Sequence, residues 1–158
     1  MTKLAPGDTA PDFMLPKDGG GTLKLSDLRG QAVVLFFYPR DDTSGCTAEA
    51  IAFSGLKSEF ANAGAVVVGM SGDSQKSHDK FKAKHKLTVD LVSDEENKAL
   101  EAYGVWAEKS MYGRKFLGIV RTTFLIDANG KIAAVWPNVK VPGHAEAVLA
   151  AVRALPSS

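Results

Sequence analysis

Val33-Val-Leu-Phe-Phe-Tyr38 is an unbroken apolar run, with none of the alternation that marks a strand with one wet face. Such a run reads as a strand covered on both faces of a sheet. Val66-Val-Val-Gly-Met-Ser71 repeats the signature. Between the two, Ala50, Phe53, Leu56 and Phe60 recur at three- and four-residue spacing, which makes one apolar stripe along a helix over residues 46–62. Strand, helix and strand in that order predict a crossover unit.

Outward from this unit, a second helix is expected to start near Ser74, carry Phe81 and end before Leu87. A short strand at 90–92 and a helix over 95–103 follow. Thr122-Thr-Phe-Leu-Ile-Asp127 and Lys131-Ile-Ala-Ala-Val-Trp136 flank Ala128-Asn-Gly130, a hairpin pattern because Asn-Gly tolerates the positive φ of a tight turn. A last helix over 143–154 lays Ala147, Val148, Ala151 and Leu155 on the sheet. Near the start, Phe13-Met-Leu15 and Thr22-Leu-Lys-Leu25 flank Asp18-Gly-Gly-Gly21 as another hairpin. The sum is an α/β, thioredoxin-like arrangement: a central mixed β-sheet with helices on both faces and an N-terminal β-hairpin. No repeat, low-complexity segment or linker interrupts it, so residues 1–158 are expected to form a single domain.

Nineteen basic and eighteen acidic side chains leave a formal charge of +1. That balance gives no bulk electrostatic reason to bind nucleic acid or an anionic membrane, and points to a small partner. No stretch approaches the roughly 20 apolar residues of a membrane helix, and the first residues lack a signal-peptide pattern, so a cytoplasmic protein is expected. With balanced charge and no obvious exposed apolar stripe, the chain is expected to be a monomer. The single cysteine excludes an internal disulfide and a cysteine-based zinc cage.

That cysteine, Cys46, lies in Pro39-Arg-Asp-Asp-Thr-Ser-Gly-Cys-Thr-Ala-Glu49, a strand end, a short loop and a helix start. Thr43 and Ser44 are good N-cap residues, which places Cys46 in the first turn. There the free backbone N–H groups and the positive end of the helix dipole favour a thiolate over a neutral thiol. A lone cysteine is ordinarily a small buried hydrophobe, but this context makes it a candidate nucleophile.

Pro39-Arg-Asp-Asp-Thr43-Ser-Gly-Cys46 resembles the Pro-x-x-x-Thr/Ser-x-x-Cys signature of peroxiredoxins. The longer string from Tyr38 to Glu49 is similar to the bacterioferritin comigratory protein, or peroxiredoxin Q, branch. Gly7-Asp-Thr-Ala-Pro-Asp-Phe13, Ser77-His-Asp-Lys-Phe81, Leu91-Val-Ser-Asp94, Tyr112-Gly-Arg114 and Arg121-Thr-Thr-Phe-Leu-Ile126 extend the likeness along the chain. The resemblance implies a peroxiredoxin fold and a thiol-dependent peroxidase with no cofactor. Cys46 would attack hydrogen peroxide or an alkyl hydroperoxide and become a sulfenic acid. Thr43 would orient the peroxide, Pro39 would shield the thiolate from water, and Arg121 would stabilise charge on sulfur and on the breaking O–O bond. Glu49 would either hold that guanidinium or only complement the helix dipole. Pro39 as a strand terminator and Thr43 as a cap are the plainer alternatives.

Two departures stand out. Ser44 occupies a position where the family commonly has proline. The positions where members of this branch carry a resolving cysteine are Ile51 and, in the next helix, residues such as Lys82. An external thiol, thioredoxin or glutaredoxin with glutathione, would therefore recycle the sulfenic acid in a one-cysteine cycle. A disulfide oxidoreductase would need Cys-x-x-Cys, and a cysteine phosphatase an arginine six residues after the cysteine. Neither is present. His78, His85 and His144 fall in no recognisable Cys-His hydrolase motif and read as solvated helix residues, while Trp106, Tyr112 and Phe116 read as packing residues or an apolar flank to the site. A peroxide sensor that oxidises once without turning over uses the same thiol and stays open.

Overall fold

The computed structural model describes residues 2–156. The chain opens on an antiparallel hairpin, β1 (Met14–Pro16) and β2 (Thr22–Lys24), with Leu15 opposite Leu23. After a 3-10 turn come β3 (Ala32–Phe37), α1 (Ser44–Gly55), α2 (Lys57–Asn62), β4 (Ala65–Ser71), α3 (Gln75–His85), β5 (Asp90–Ser93) and α4 (Lys98–Ala102). A second hairpin, β6 (Trp106–Met111) and β7 (Arg114–Ile119), precedes β8 (Thr122–Ile126), β9 (Ile132–Trp136) and α5 (His144–Arg153).

The main sheet has the order β5-β4-β3-β8-β9. β3, β4 and β5 run parallel, and β8 and β9 are antiparallel to their neighbours. It is the mixed thioredoxin-like sheet expected from the two apolar runs and the closing hairpin. All six residues of β3 are buried, and its side chains alternate between two cores. Val34, Phe36 and Tyr38 pack with Phe53, Phe60, Phe81 and Val148 from α1, α2, α3 and α5. Val33, Leu35 and Phe37 face Phe13, Leu23, Leu100 and Tyr103 from the first hairpin and the α4 region. Full burial of each large apolar side chain contributes roughly 1.5–3 kcal/mol, so the central strand is a firm support for whatever sits at its end.

Three local features depart from expectation. The helix over 46–62 is two helices, divided at Leu56 (φ −104°, ψ 8°). Thr88 explains the break: its hydroxyl donates to the Ser54 carbonyl (3.2 Å), its N–H donates to Ser54 Oγ (3.0 Å), and Gly55 beside them has poor helix propensity. The helix over 95–103 starts only at Lys98, because Asn97 takes a left-handed conformation (φ 63°) and the Asp94 carboxylate instead accepts the Leu100 N–H (2.8 Å). The β6–β7 hairpin was not anticipated. It turns at Tyr112-Gly113, both with positive φ, and lies outside the main sheet. The β8–β9 turn is built on Asp127, whose carboxylate accepts the N–H groups of Asn129 and Lys131, and only Gly130 there has positive φ. No helix among the described residues is long and apolar enough to cross a membrane.

Candidate active site

The site is built where β3 ends and α1 begins. After Tyr38 the chain turns through residues 39–43, with Asp42 in a left-handed conformation (φ 61°), and enters α1 at Ser44. Cys46 is the third helical residue, so its N–H belongs to the first-turn donors that have no carbonyl to bond within the helix. It is 1% exposed. Glu49 follows three residues later, on the same face of the helix.

Arg121 arrives from the neighbouring strand. It immediately precedes β8, whose Thr122 pairs with Phe37 at the end of β3, and its carbonyl is fixed by the Val139 N–H (2.9 Å). The guanidinium bridges the two helix residues: Nη2 donates to Cys46 Sγ (3.3 Å) and Nη1 to Glu49 Oε1 (2.8 Å). A Cβ on Gly45 would lie 3.2 Å from Arg121 Nη2, so glycine at this position lets the guanidinium come down beside the sulfur. Burial disfavours the arginine's charge, but Cys46 and Glu49 together offset it and hold Arg121 above its ordinary range.

Glu49 shows the opposite balance. Burial raises its carboxyl from 4.5 to about 7, against the attraction and hydrogen bond of Arg121. The reason is visible in the contacts: Oε1 meets the guanidinium, but Oε2 is buried with no partner. Between pH 4.5 and about 7 the folded chain therefore holds a proton that the unfolded chain has released. The resulting stability is present at low pH and lost as pH rises through about 7. In urea unfolding, the wild type is expected to lose roughly 2–3 kcal/mol between about pH 5 and 8 on this account. Glu49→Gln should remove that part of the loss; an unchanged pH dependence would place the ionisation of Glu49 elsewhere.

Of the five residues singled out in the sequence, contacts join Cys46, Arg121 and Glu49. Pro39 is half-buried in the connecting loop and Thr43 is exposed at the N-cap position, three residues before Cys46. Thr43 has the extended backbone of an N-cap (φ −88°, ψ 156°), yet its hydroxyl donates to the Arg40 carbonyl (3.1 Å) and caps no helix N–H. The hydroxyl's lone pairs are thus uncommitted to α1.

Several neighbours were not singled out. Lys109 on β6 is lowered by its burial and by the charge of Arg121, with Cys46 acting the other way. It lines an open groove with Met111, Phe116, Arg121, Asn138 and Val139. Its only sequence signal is the Tyr112-Gly113 turn, which places β6 and β7 as a hairpin. Trp106 packs partly buried on a core, Phe116 lies in the groove wall, and Tyr112 is 98% exposed at the hairpin turn. Two histidines read as solvated are buried. His78 is fully buried, and His144 shares a hydrogen bond with Thr123 Oγ1 (2.8 Å) and is lowered by burial and by Arg121.

The profile of the AhpC/TSA family matches residues 6–135. A putative peroxiredoxin bcp of Coxiella burnetii is 52% identical over 143 residues, 90% of this chain and 95% of that protein. Peroxiredoxin Bcp of Bacillus subtilis is 48% identical over 138 residues, 87% of this chain and 88% of its own. Among solved structures, Xylella fastidiosa PrxQ superposes with a TM-score of 0.92 at 41% identity, over 98% of both chains. The bacterioferritin comigratory protein of Xanthomonas campestris, described for its alkyl peroxide reduction activity, superposes with a TM-score of 0.88 at 43% identity over 98% of both chains.

Proposed function

The chain belongs to the AhpC/TSA family and is a peroxiredoxin, a thiol-dependent peroxidase; from that premise we propose that Cys46 is its nucleophile and works in a one-cysteine cycle. The Cys46 thiolate attacks the terminal oxygen of a hydroperoxide, the O–O bond breaks, and the leaving oxygen takes a proton to become water or an alcohol. The oxygen retained on sulfur makes a sulfenic acid. An external thiol condenses with it, releasing water and leaving a mixed disulfide, and a second thiol frees Cys46.

The observation that carries this reading is the Arg121 guanidinium held 3.3 Å from Cys46 Sγ at a helix start, with its other arm tied to Glu49. A cation so placed favours the thiolate and meets the charge that spreads over the O–O bond as it breaks. Thr43 offers an exposed hydroxyl to the peroxide, and Pro39 covers the approach along the loop. Organic hydroperoxides are substrates alongside hydrogen peroxide: the groove beside Arg121 presents Met111, Phe116 and Val139 to an alkyl group, and the Xanthomonas relative is described for alkyl peroxide reduction.

External recycling is supported by the sequence itself, which has no second cysteine. Because Cys46 is 1% exposed, a bulky reductant reaches the sulfenic acid only after the first turn of α1 opens. The cycle is tested by oxidising the reduced protein with hydrogen peroxide in a stopped-flow instrument, then adding thioredoxin, or glutaredoxin with glutathione, and excess peroxide. Continuous turnover with one of them is expected. One equivalent of peroxide consumed, with no turnover on either system, would identify a sensor and sink the enzymatic cycle. The protein is expected to act as a cytoplasmic monomer, checked by light scattering of the reduced form.

A further inference from the structure

We propose that His78, acting with Asp41, is a positioning residue for the loop that carries Pro39 and Thr43: a buried imidazolium on α3 fixes the Asp41 carboxylate and through it the approach to Cys46. The inference rests on Cys46 being the nucleophile.

His78 is fully buried and both ring nitrogens face acceptors. Nε2 lies 3.0 Å from the Val92 carbonyl of β5, which can only accept, so Nε2 carries a proton. Nδ1 lies 2.7 Å from Asp41 Oδ2. Asp41 also accepts the Tyr38 hydroxyl at Oδ1 (2.7 Å) and the Ser77 hydroxyl at Oδ2 (2.8 Å), so it behaves as an acceptor throughout and Nδ1 donates too. A ring that donates from both nitrogens is an imidazolium.

The groups around it agree. Tyr38, at the end of β3, has its oxygen 3.4 Å from Nδ1 and is raised well above its ordinary value by burial and by Asp41, so it stays a neutral donor. Asp73, after β4, accepts the Asp41 N–H (2.7 Å) and the Ser71 hydroxyl (2.7 Å) on Oδ2. α3 supplies Ser77, and β5 the Val92 carbonyl. Burial alone would lower His78, but Asp41, the carbonyl and Asp73 outweigh it and raise the ring above 6.5. Asp41, Asp73 and His78 converge closely enough for a cation, but a protonated Nδ1 cannot ligate one and the carboxylates already accept hydrogen bonds.

Asp41 sits midway between Pro39 and Thr43. Its neighbour Asp42 is also tied to α3, from outside, by Lys84 Nζ (2.7 Å) and His85 Nε2 (2.7 Å). The loop thus rests on one face of α3, and only the Asp41 contact is buried. If it is released, Pro39, Thr43 and the first turn of α1 lose their fixed relation to Arg121. Displacements of about 1 Å in such sites cost on the order of 10²-fold in rate.

The test has three parts. Ring nitrogen NMR of the reduced wild type at neutral pH should find both His78 nitrogens protonated. Stopped-flow oxidation by hydrogen peroxide should be slower in His78→Asn, and in Asp41→Asn, by roughly 10–100-fold per folded molecule at neutral pH. The wild-type rate should also carry a fall on the alkaline side as the imidazolium loses its proton, and His78→Asn should lack that fall because an amide has no proton to lose in this range. pH effects common to both proteins cancel from the comparison. A neutral His78 ring would overturn the proposal, as would a His78→Asn rate and pH profile matching the wild type. If wild-type protein does not react with peroxide faster than a free thiol, it is the Cys46 reading that fails.

Discussion

Cys46→Ser is expected to abolish peroxide reduction while leaving the fold intact. Serine fits the same buried space between Ala50 and the Arg121 guanidinium, so the core around α1 keeps its volume. What changes is the nucleophile: a serine hydroxyl is a far weaker one than a thiolate, and the side chain in contact with it, Arg121, can only donate and cannot take its proton. Peroxide consumption should fall to the uncatalysed background, and a sulfenic-acid probe that labels the wild type after one equivalent of peroxide should label nothing. An unchanged melting temperature, read in the same preparation, separates lost chemistry from lost structure. Residual turnover above background would mean that the chemistry lies elsewhere in the chain.

Arg121→Ala is expected to slow oxidation of Cys46 by about 10²–10³-fold, the usual cost of removing one donor aimed at developing charge in a water-poor site. Two separate arms of the guanidinium are used, Nη2 on sulfur and Nη1 on Glu49. Arg121→Lys should therefore recover only part of the loss, because an ammonium on a flexible stem cannot span both partners at fixed geometry. The alanine variant also strips Glu49 of the one group that favours its charge. Its carboxyl, already raised to about 7 by burial, should then stay protonated further into the alkaline range, and the variant's stability should suffer more at about pH 8 than at pH 5. Stopped-flow oxidation and urea unfolding of the three proteins at both pH values check these outcomes. An Arg121→Ala rate within a few-fold of wild type would remove the guanidinium from the reaction.

The elements that could be read from the sequence are those whose side chains lie in one regime over their whole length. β3 and β4 sit inside the sheet, so their runs are apolar throughout, and the β8–β9 hairpin announces itself by Asn129-Gly130. The β6–β7 hairpin failed to register because most of it is exposed and its strands mix Glu108, Lys109, Arg114 and Lys115 with Met111 and Leu117, so neither face shows a period. The division at Leu56 depends on Thr88, far along the chain, and no local propensity encodes it. The site divides in the same way. The helix-start position of Cys46 follows from the residues beside it. Arg121 lies 75 residues away, and only the resemblance to a known family pointed to it. His78 and Asp41, 37 residues apart, both lie in stretches that carry the family likeness, but nothing local joins them, and a histidine amid lysines on a helix reads as wet until the sheet beneath it is placed.

The division of the long helix at Leu56 bears on what oxidation does to the molecule. α1 carries Cys46 near one end and stops after twelve residues, while α2 begins a separate hydrogen-bonded segment buried through Phe60. Helical order is cooperative only along an uninterrupted ladder. A sulfenic acid that melts the start of α1 therefore meets a boundary before it reaches α2, much as a crack stops at a seam. Opening confined to the first turn of α1 leaves Phe53, stacked on Phe36 (ring centroids 4.7 Å) and packed on Phe60 across the seam (5.9 Å), in place, so repeated local opening for a reductant need not expose the aromatic core to aggregation.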